Sequence, residues 1–198
     1  MKFRFLFFFL FVSIAGMQAQ SFNGGLLGGI SASQISGDGL SGFDKAGIIF
    51  GGFTRWDFTE KTAFQMEMAY VQKGSRRNAD PNKGSYFWYR LRLDYIDTYF
   101  LFKYTIKKVL LEAGPSFGYL IRQQEEGTGI SQPRDFFHQD ISLNAGLGYK
   151  INEKLRFNLR YGETFFMTPV RKKDAESSSF FIRGQYHSVL SFTLQYQF

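Results

Sequence analysis

The most constraining feature of the sequence is a long run of strict two-residue alternation that starts at Asp140. Apolar residues at odd positions from Ile141 to Ile151 alternate with polar or small residues at even positions. The pattern resumes at Leu155 after a polar break at 152–154. A period of two indicates a β-strand whose two faces meet different surroundings. Because the break is short, we expect the two strands to pair as an antiparallel hairpin.

The length of these strands decides which kind of sheet they form. Soluble sheets use strands of about 5 to 6 residues, whereas the first strand of this hairpin alternates over about a dozen residues. A strand that crosses a bilayer needs about 9 to 11 residues, apolar toward lipid and polar toward the interior. Lipid offers no hydrogen-bond partner for the unpaired backbone groups at a free sheet edge, so such a sheet has to close on itself. The sequence therefore predicts a transmembrane β-barrel.

The same alternation recurs along the chain and predicts eight strands. The connections between them alternate between long and short, and bacterial barrels have short periplasmic turns and longer external loops. This order predicts an all-β, eight-stranded antiparallel up-and-down transmembrane β-barrel with both termini in the periplasm. The predicted strands cover residues 23–35, 45–57, 62–73, 86–104, 109–121, 140–151, 155–167 and 185–198.

Two irregularities are expected in the fourth and fifth strands. Apolar residues occupy odd positions up to Tyr95 and even positions from Ile96. One inserted residue turns every later side chain to the other face, so we predict a bulge at this point. Pro115 cannot donate a hydrogen bond to the sheet, which predicts a second local irregularity in the fifth strand.

Charged residues with inward parity define a candidate site inside the barrel. An eight-stranded barrel has an interior that side chains fill, which disfavours a diffusion pore. Buried charges have to be paired and hydrogen-bonded, and the signs here are roughly balanced. We therefore predict a lumenal salt-bridge network, with a proton or ion path as the alternative. Its members are Glu67, Asp97, Lys103, Glu112, Asp140, Lys150, Arg156 and Arg160.

The N-terminus has the three parts of a secretory signal peptide. Lys2 and Arg4 precede an apolar core, and the small residue Ala19 closes the cleavage motif. We predict a signal peptide at 1–19 and one barrel domain at 20–198. The predicted location is the outer membrane of a Gram-negative bacterium.

Charge and cysteine content exclude several classes of protein. The formal charge is +7, and removal of Lys2 and Arg4 leaves +5 on the mature chain. These charges are scattered along an exported chain, which argues against nucleic acid as a partner. The sequence contains no Cys, so disulfides and a lipoprotein anchor are excluded.

The fourth and fifth strands carry a family resemblance. Residues 93–104, LDYIDTYFLFKY, resemble the signature of PorT-like outer-membrane barrels of Bacteroidota, in which a Leu-Asp-Tyr-Ile-Glu stretch precedes a proline and a Leu-Lys-Tyr ending. Residues 114–119, GPSFGY, are similar to the segment that follows it. Tyr99 stands where that family usually has proline. The resemblance implies an outer-membrane barrel and points to type IX secretion as a role.

Candidate catalytic residues are few. His138 lies near Asp140, and His187 lies beside Ser188, both at strand ends predicted to form the outer rim. An acyl-transfer site needs a nucleophile, a base and an orienting group within hydrogen-bond reach, and Ser188 has the parity opposite to His187. Two distant histidines without Cys match no metal-ligand spacing. We therefore predict no catalytic residues, no metal site and no cofactor.

Loop cations and the C-terminal aromatics are the remaining candidate contact residues. The cations are either a contact for lipopolysaccharide phosphates or an ordinary solvated surface, and we favour the second. The alternating aromatic ending with Tyr196 and Phe198 resembles the signal read by the barrel-insertion machinery. The loop cations are Arg76, Arg77, Arg171, Lys172 and Lys173.

The leading functional hypothesis is a non-enzymatic outer-membrane barrel that serves as a structural or accessory subunit of an envelope complex, in secretion or outer-membrane protein assembly. Expected partners are outer-membrane lipids and lipopolysaccharide, other outer-membrane or periplasmic proteins, and the insertion machinery during biogenesis. Two alternatives stay open. One is a lipid-modifying enzyme with His138 or His187 at the rim, and the other is a small ligand-binding or adhesion barrel.

Overall fold

The computed structural model describes residues 22–40, 42–130, 135–172 and 184–198, so the predicted signal peptide at 1–19 lies outside the described residues. No helix among them is long and apolar enough to cross a membrane. The secondary structure is almost entirely β, with one short 3-10 turn at Pro81–Lys83. The strands are β1 (Phe22–Ser36), β2 (Lys45–Asp57), β3 (Thr62–Arg77), β4 (Tyr89–Ile106), β5 (Val109–Gly127), β6 (Gln139–Lys150), β7 (Leu155–Thr164), β8 (Arg171–Lys172) and β9 (Gly184–Gln197).

Eight of these strands form a closed ring. From β1 to β7 each strand pairs antiparallel with the next, β7 pairs with β9, and β9 pairs back on β1. The two-residue β8 pairs with the start of β9. The predicted all-β, eight-stranded up-and-down barrel is confirmed. The short connections at 58–61, 107–108 and 151–154 share one end of the ring, which bacterial barrels direct to the periplasm.

The distribution of apolar side chains is reversed relative to a soluble protein. Met68 is 57% exposed on the outside of the ring, whereas Gln65 and Gln195 are fully buried inside it. The barrel wall separates the inward polar residues from lipid, and hydrocarbon would cover the outward apolar residues. The apolar face is therefore the face that meets lipid. We call this outward set the apolar belt; it includes Leu26, Ile30, Ile48, Phe50, Met66, Met68, Phe102, Leu111, Phe117, Leu143, Leu147, Phe157 and Leu194.

The side chains of β4 keep one parity throughout, contrary to the sequence-based expectation. Leu91, Leu93 and Tyr95 are fully buried, and so are Asp97 and Lys103 further along the strand. Odd residues therefore point inward on both sides of the predicted switch. What changes is the environment, because above the bilayer the interior becomes apolar and the exterior becomes polar. The predicted reversal of side-chain direction within β4 is wrong.

A bulge does occur at this level, but β5 carries the extra residue. Asp94 pairs with Arg122 and Tyr95 pairs with Leu120, so Ile121 has no partner on β4. The inserted residue reverses the parity of β5, as an insertion should. Beyond it, odd residues of β5 such as Glu125 take the inward position.

The predicted irregularity at Pro115 takes the form of a gap in the pairing with β4. Tyr99 pairs with Ser116, and pairing resumes at Phe102 with Ala113 in the same register. A proline has no N–H to donate. On its other side, Pro115 keeps its place opposite Leu143 of β6.

An apolar cluster fills the interior at the external end. Residues from β1, β4 and β5 meet residues from two external loops, and each is at most 5% exposed. This cluster, which we call the external plug, is a small core of the kind found in soluble proteins. Its members are Ile35, Leu91, Leu93, Tyr95, Leu120, Phe136 and Val170.

Candidate functional site

Four charged side chains form an ion-pair cluster in the barrel interior. Arg160 of β7 places Nη1 2.7 Å from Glu67 Oε2 and Nε 2.5 Å from Glu112 Oε1. Lys103 places Nζ 2.9 Å from Glu112 Oε2 and 3.8 Å from Glu67 Oε1. None of the four side chains is more than 4% exposed. This central cluster joins β3, β4, β5 and β7 and has no formal net charge.

Neutral side chains complete the coordination of the two carboxylates. Gln65 and Gln195 donate to Glu67 Oε1 at 2.8 and 3.2 Å, and Asn158 donates to Glu112 Oε1 at 2.8 Å. A buried ion pair is tolerated when further hydrogen bonds satisfy its remaining lone pairs. These amides therefore allow the charges to remain ionised without water around them.

A second cluster lies nearer the external end. Lys73 of β3 places Nζ 2.9 Å from Asp97 Oδ2 and 2.8 Å from Asp140 Oδ2. Ser142 and Thr164 donate to Asp140 Oδ1 at 3.0 and 2.9 Å. This upper cluster links β3, β4 and β6. Together the two clusters connect five strands across the lumen.

The structure brings six of the predicted network residues into these clusters: Glu67, Asp97, Lys103, Glu112, Asp140 and Arg160. Lys150 lies outside them, with Nζ 2.7 Å from Glu153, whose side chain is 89% exposed. Arg156 is buried near the same turn, beside Arg55. Both were assigned by parity alone, and they sit too close to the periplasmic turn to reach the clusters.

Sequence reasoning missed Lys73, which is the cation of the upper cluster. The inward parity of Lys73 was the available signal. Because Lys73 is the last residue of the predicted third strand, the sequence prediction places it at the end of the strand and does not assign it to the network. The strand continues to Arg77. Lys73 is therefore 3% exposed and surrounded by β4 and β6.

The two candidate histidines lie on opposite faces of the barrel wall. His187 is 1% exposed, and its Nε2 is 3.3 Å from the hydroxyl of Tyr95 inside the barrel. The ring of His138 packs on outward-facing Tyr119 at 5.8 Å. The expectation that both occupy an accessible rim is wrong for His187. Within the described ranges, no three His, Cys, Asp or Glu side chains are placed to hold a metal ion.

The predicted loop cations have different surroundings. Arg171 is buried, with Nη2 2.6 Å from Glu125 Oε2 and its guanidinium 4.0 Å from the centre of the Phe136 ring. It therefore closes the external end of the lumen and is not a loop contact. Arg77 lies over the ring of Phe87 at 5.6 Å. Lys172 belongs to β8, and Lys173 lies outside the described residues.

Arg76 belongs to a cleft on the outer surface, above the apolar belt. The cleft has a volume of about 290 Å³. Four of the side chains that line it are cationic. Two of these, Arg90 and Arg92, lie in β4 and are not among the predicted contact residues. We call it the basic cleft; its lining residues are Lys45, Ala46, Gln72, Arg76, Arg90, Arg92, Gln124 and Glu126.

The C-terminal aromatics lie on the outside of the barrel at its periplasmic end. Tyr196 is 45% exposed and Phe198 is 72% exposed, with their ring centres 6.0 Å apart in an edge-on arrangement. This placement leaves both rings accessible from the membrane side. Recognition of Tyr196 and Phe198 by the insertion machinery stays a prediction.

Residues 18–165 match the family model described as outer membrane protein beta-barrel domain. The chain belongs to this family. Its location in the outer membrane follows from the family and the closed barrel. The narrower PorT-like assignment stays a prediction.

Two solved structures resemble this outer-membrane barrel. The attachment invasion locus protein Ail of Yersinia pestis is 14% identical with a TM-score of 0.50, over 89% of this chain and 98% of Ail. Neisserial surface protein A is 12% identical with a TM-score of 0.53, over 91% of this chain and 100% of that protein. At these identities the likeness concerns the fold alone. A search of curated protein sequences gives no significant match.

Proposed function

We propose that this outer-membrane barrel is a non-conducting, non-enzymatic protein that acts by binding, as a structural or accessory subunit of an envelope complex. The observation that carries the proposal is the filled lumen. The external plug closes one end, and the two ion-pair clusters occupy the middle. A void lined by Lys73, Asp97 and Arg160, among others, has a volume of about 10 Å³, about the space of one water molecule.

The charged interior supports a structural role over an ion path. A path needs charged groups that exchange partners or meet water, whereas Arg160 and Lys73 are each held by two carboxylates at 2.9 Å or less. Groups held this tightly fix the relative positions of the strands. The interior therefore serves to keep the barrel rigid, and contacts with other molecules fall to its outer surfaces.

The separation of His138 from His187 supports a non-enzymatic role. One ring packs outside the wall and the other is buried inside it. Ser188 hydrogen-bonds Ser36 at 3.4 Å and does not contact His187 through any bond that the described residues form. A nucleophile, a base and an orienting group are therefore not assembled there.

The external extension of β3, β4 and β5 is the surface best suited to a partner. These strands have 16, 18 and 19 residues, well beyond the roughly 9 to 11 that cross a bilayer. The connection between β3 and β4 exposes three consecutive aromatic residues, with Tyr86 74%, Phe87 41% and Trp88 44% exposed. Exposed aromatic residues are enriched at protein interfaces. The same surface also favours the second candidate function, an adhesion or ligand-binding barrel.

Native extraction tests the accessory role. We expect the barrel to leave its membranes in mild detergent with a partner protein, detected by native mass measurement. The variant Tyr86→Ser/Trp88→Ser should lose this partner. A matched control, Phe166→Ser/Met167→Ser, removes two exposed apolar side chains from another external loop and should retain it. A strictly monomeric wild type would contradict the accessory role, and ligand capture by intact cells would then support the adhesion alternative.

Conductance tests the filled lumen directly. We expect the purified barrel in a planar bilayer to give no sustained ion current. A stable open-channel current from wild-type protein would refute a sealed interior, whatever partner the protein binds.

A further inference from the structure

The basic cleft concentrates positive charge on the outside of the barrel. Arg76 and Arg90 stand directly opposite each other across β3 and β4, and like charges in that position destabilise a sheet. The ion pairs formed among the described residues include neither of them. On its other side Arg90 faces Glu126 of β5, and Arg76 donates Nε to Asn78 Oδ1 at 2.9 Å. One carboxylate therefore lies opposite these two arginines, and an added anion between the guanidinium groups would reduce the remaining repulsion.

The charge balance of the cleft leaves a surplus of cations. Arg92 uses Nε to bind Asp94 Oδ1 at 3.0 Å, and Glu126 is the carboxylate among the lining residues. Lys45 is the fourth cation. The four cations of the cleft outnumber the carboxylates Asp94 and Glu126 by two, which suits a ligand with at least one negative charge.

The position of the cleft identifies the side from which a ligand enters. At the lower edge of the cleft, Gln72 donates to the hydroxyl of Tyr70 at 2.9 Å. The rings of Tyr70 and Phe50 lie 5.0 Å apart on the outer face. Strands rise about 3.3 Å per residue, so the lowest cation, Arg92, begins about four residues above Ile96 of the lipid-facing surface. The cleft therefore opens sideways at the level where lipid headgroups begin.

We infer that the basic cleft binds the phosphate group of a phosphorylated glycolipid of the outer leaflet. Arginine guanidinium groups bind phosphate through paired, charge-assisted hydrogen bonds. Arg76, Arg90 and Arg92 supply three guanidinium groups, while Phe50, Met68 and Tyr70 below them offer an apolar surface for the acyl chains. A soluble polyanion would gain nothing from this apolar surface. The inference goes beyond the proposed accessory role and needs no protein partner.

Binding to purified lipid tests the inference. The full-length protein in detergent micelles is mixed with bisphosphorylated lipid A or with the same lipid after enzymatic dephosphorylation, and retention is measured by native mass spectrometry. Because charge-assisted hydrogen bonds to phosphate are lost with the phosphate group, we expect at least about tenfold stronger retention of the phosphorylated lipid. The triple variant Arg76→Gln/Arg90→Gln/Arg92→Gln should lose this preference.

A matched control removes the same charge from the other end. The variant Lys61→Gln/Lys108→Gln/Lys154→Gln changes three exposed lysines at the periplasmic turns and should keep the preference. Heat-dependent gel migration verifies that each variant is folded. If the triple variant does not fold, Arg90→Gln alone is used, since it relieves the repulsion with Arg76 and should weaken retention without loss of stability.

Three outcomes would overturn the inference. Equal retention of both lipids by the wild type would exclude phosphate recognition. Equal retention by the wild type and the folded variant would exclude the cleft. Competition by a soluble sulfated oligosaccharide, without any preference for phosphorylated lipid A, would assign the cleft to an extracellular polyanion. None of these results depends on whether a protein partner co-purifies.

Discussion

Replacement of Arg160 by methionine should strongly destabilise the barrel. Arg160 contacts both carboxylates of the central cluster, Glu67 and Glu112. Its removal changes two cations and two anions into one cation and two anions, all in a site at most 4% exposed. Removal of one partner from a buried pair costs about 3 to 5 kcal/mol. We expect the lower end of this range because Lys103 still contacts Glu112 at 2.9 Å.

A second substitution should restore much of the stability. In Arg160→Met/Glu67→Gln the cluster keeps Lys103 and Glu112, so one cation again faces one anion. Neutral replacement of a complete buried ion pair is often close to neutral in free energy. The double variant should therefore be more stable than the single variant, although it has lost one more native side chain.

Urea unfolding in detergent micelles, followed by the fluorescence of Trp56 and Trp88, measures both variants. With a urea dependence of about 1 to 3 kcal/mol per molar, a loss of about 3 kcal/mol lowers the unfolding midpoint by about 1 to 3 M. A single variant as stable as the wild type would refute the view that these charges are buried and paired. A double variant no better than the single one would refute the charge-balance argument.

Three further predictions concern other parts of the barrel. Lys150→Met should change the unfolding free energy by less than about 1 kcal/mol in the same assay, because its ion pair with Glu153 is exposed; a loss like that of Arg160→Met would place Lys150 in the network after all. Leu93→Ala should cost about 2 to 5 kcal/mol through the cavity left in the external plug, and an unchanged midpoint would mean that the plug is loosely packed. Met68→Arg should cost about 2 to 4 kcal/mol in lipid vesicles, because its side chain lies on the lipid-facing surface; an equal midpoint in vesicles would contradict that orientation.

Alternation alone predicted the ring and most strand ends. The bounds of β2 agree with the sequence prediction at both ends, and β1 and β9 differ from it by one residue at each end. In these strands an outward face of mostly apolar residues alternates with an inward face of mostly polar or small residues, so the pattern is readable over most of the length. The inward exceptions are Leu27, Ile35, Ile49 and Phe53. Hairpin connectivity then followed from the lengths of the connections.

The rule failed where strands leave the bilayer. β3 and β5 continue to Arg77 and Gly127, beyond their predicted ends, through residues that are all polar or glycine, so hydrophobic alternation gives no signal there. In β4 the interior becomes apolar and the exterior polar above the bilayer, which made the parity look reversed at Tyr95. A sequence pattern records the environment of each face, and it reports side-chain direction only while that environment stays constant.

The membership of the charge network was predictable only in part. Parity identifies which residues point inward, but it does not give their depth along the barrel axis. Lys150 and Arg160 share an inward parity, yet one lies at a turn and the other between Glu67 and Glu112. The predicted turn at 152–154 already places Lys150 near the end of its strand, whereas the partners of Arg160 depend on the stagger of neighbouring strands, which only the closed sheet defines.

The external plug sets an order of events for membrane insertion. It draws Ile35 from β1, Leu93 from β4, Leu120 from β5, Phe136 from the connection before β6 and Val170 from the connection after β7. Side chains from nearly the whole length of the polypeptide meet in it, so it forms after the last external connection has reached the cell surface. We therefore expect the external end of the lumen to close in a late step of folding, once the connection that carries Val170 is in place.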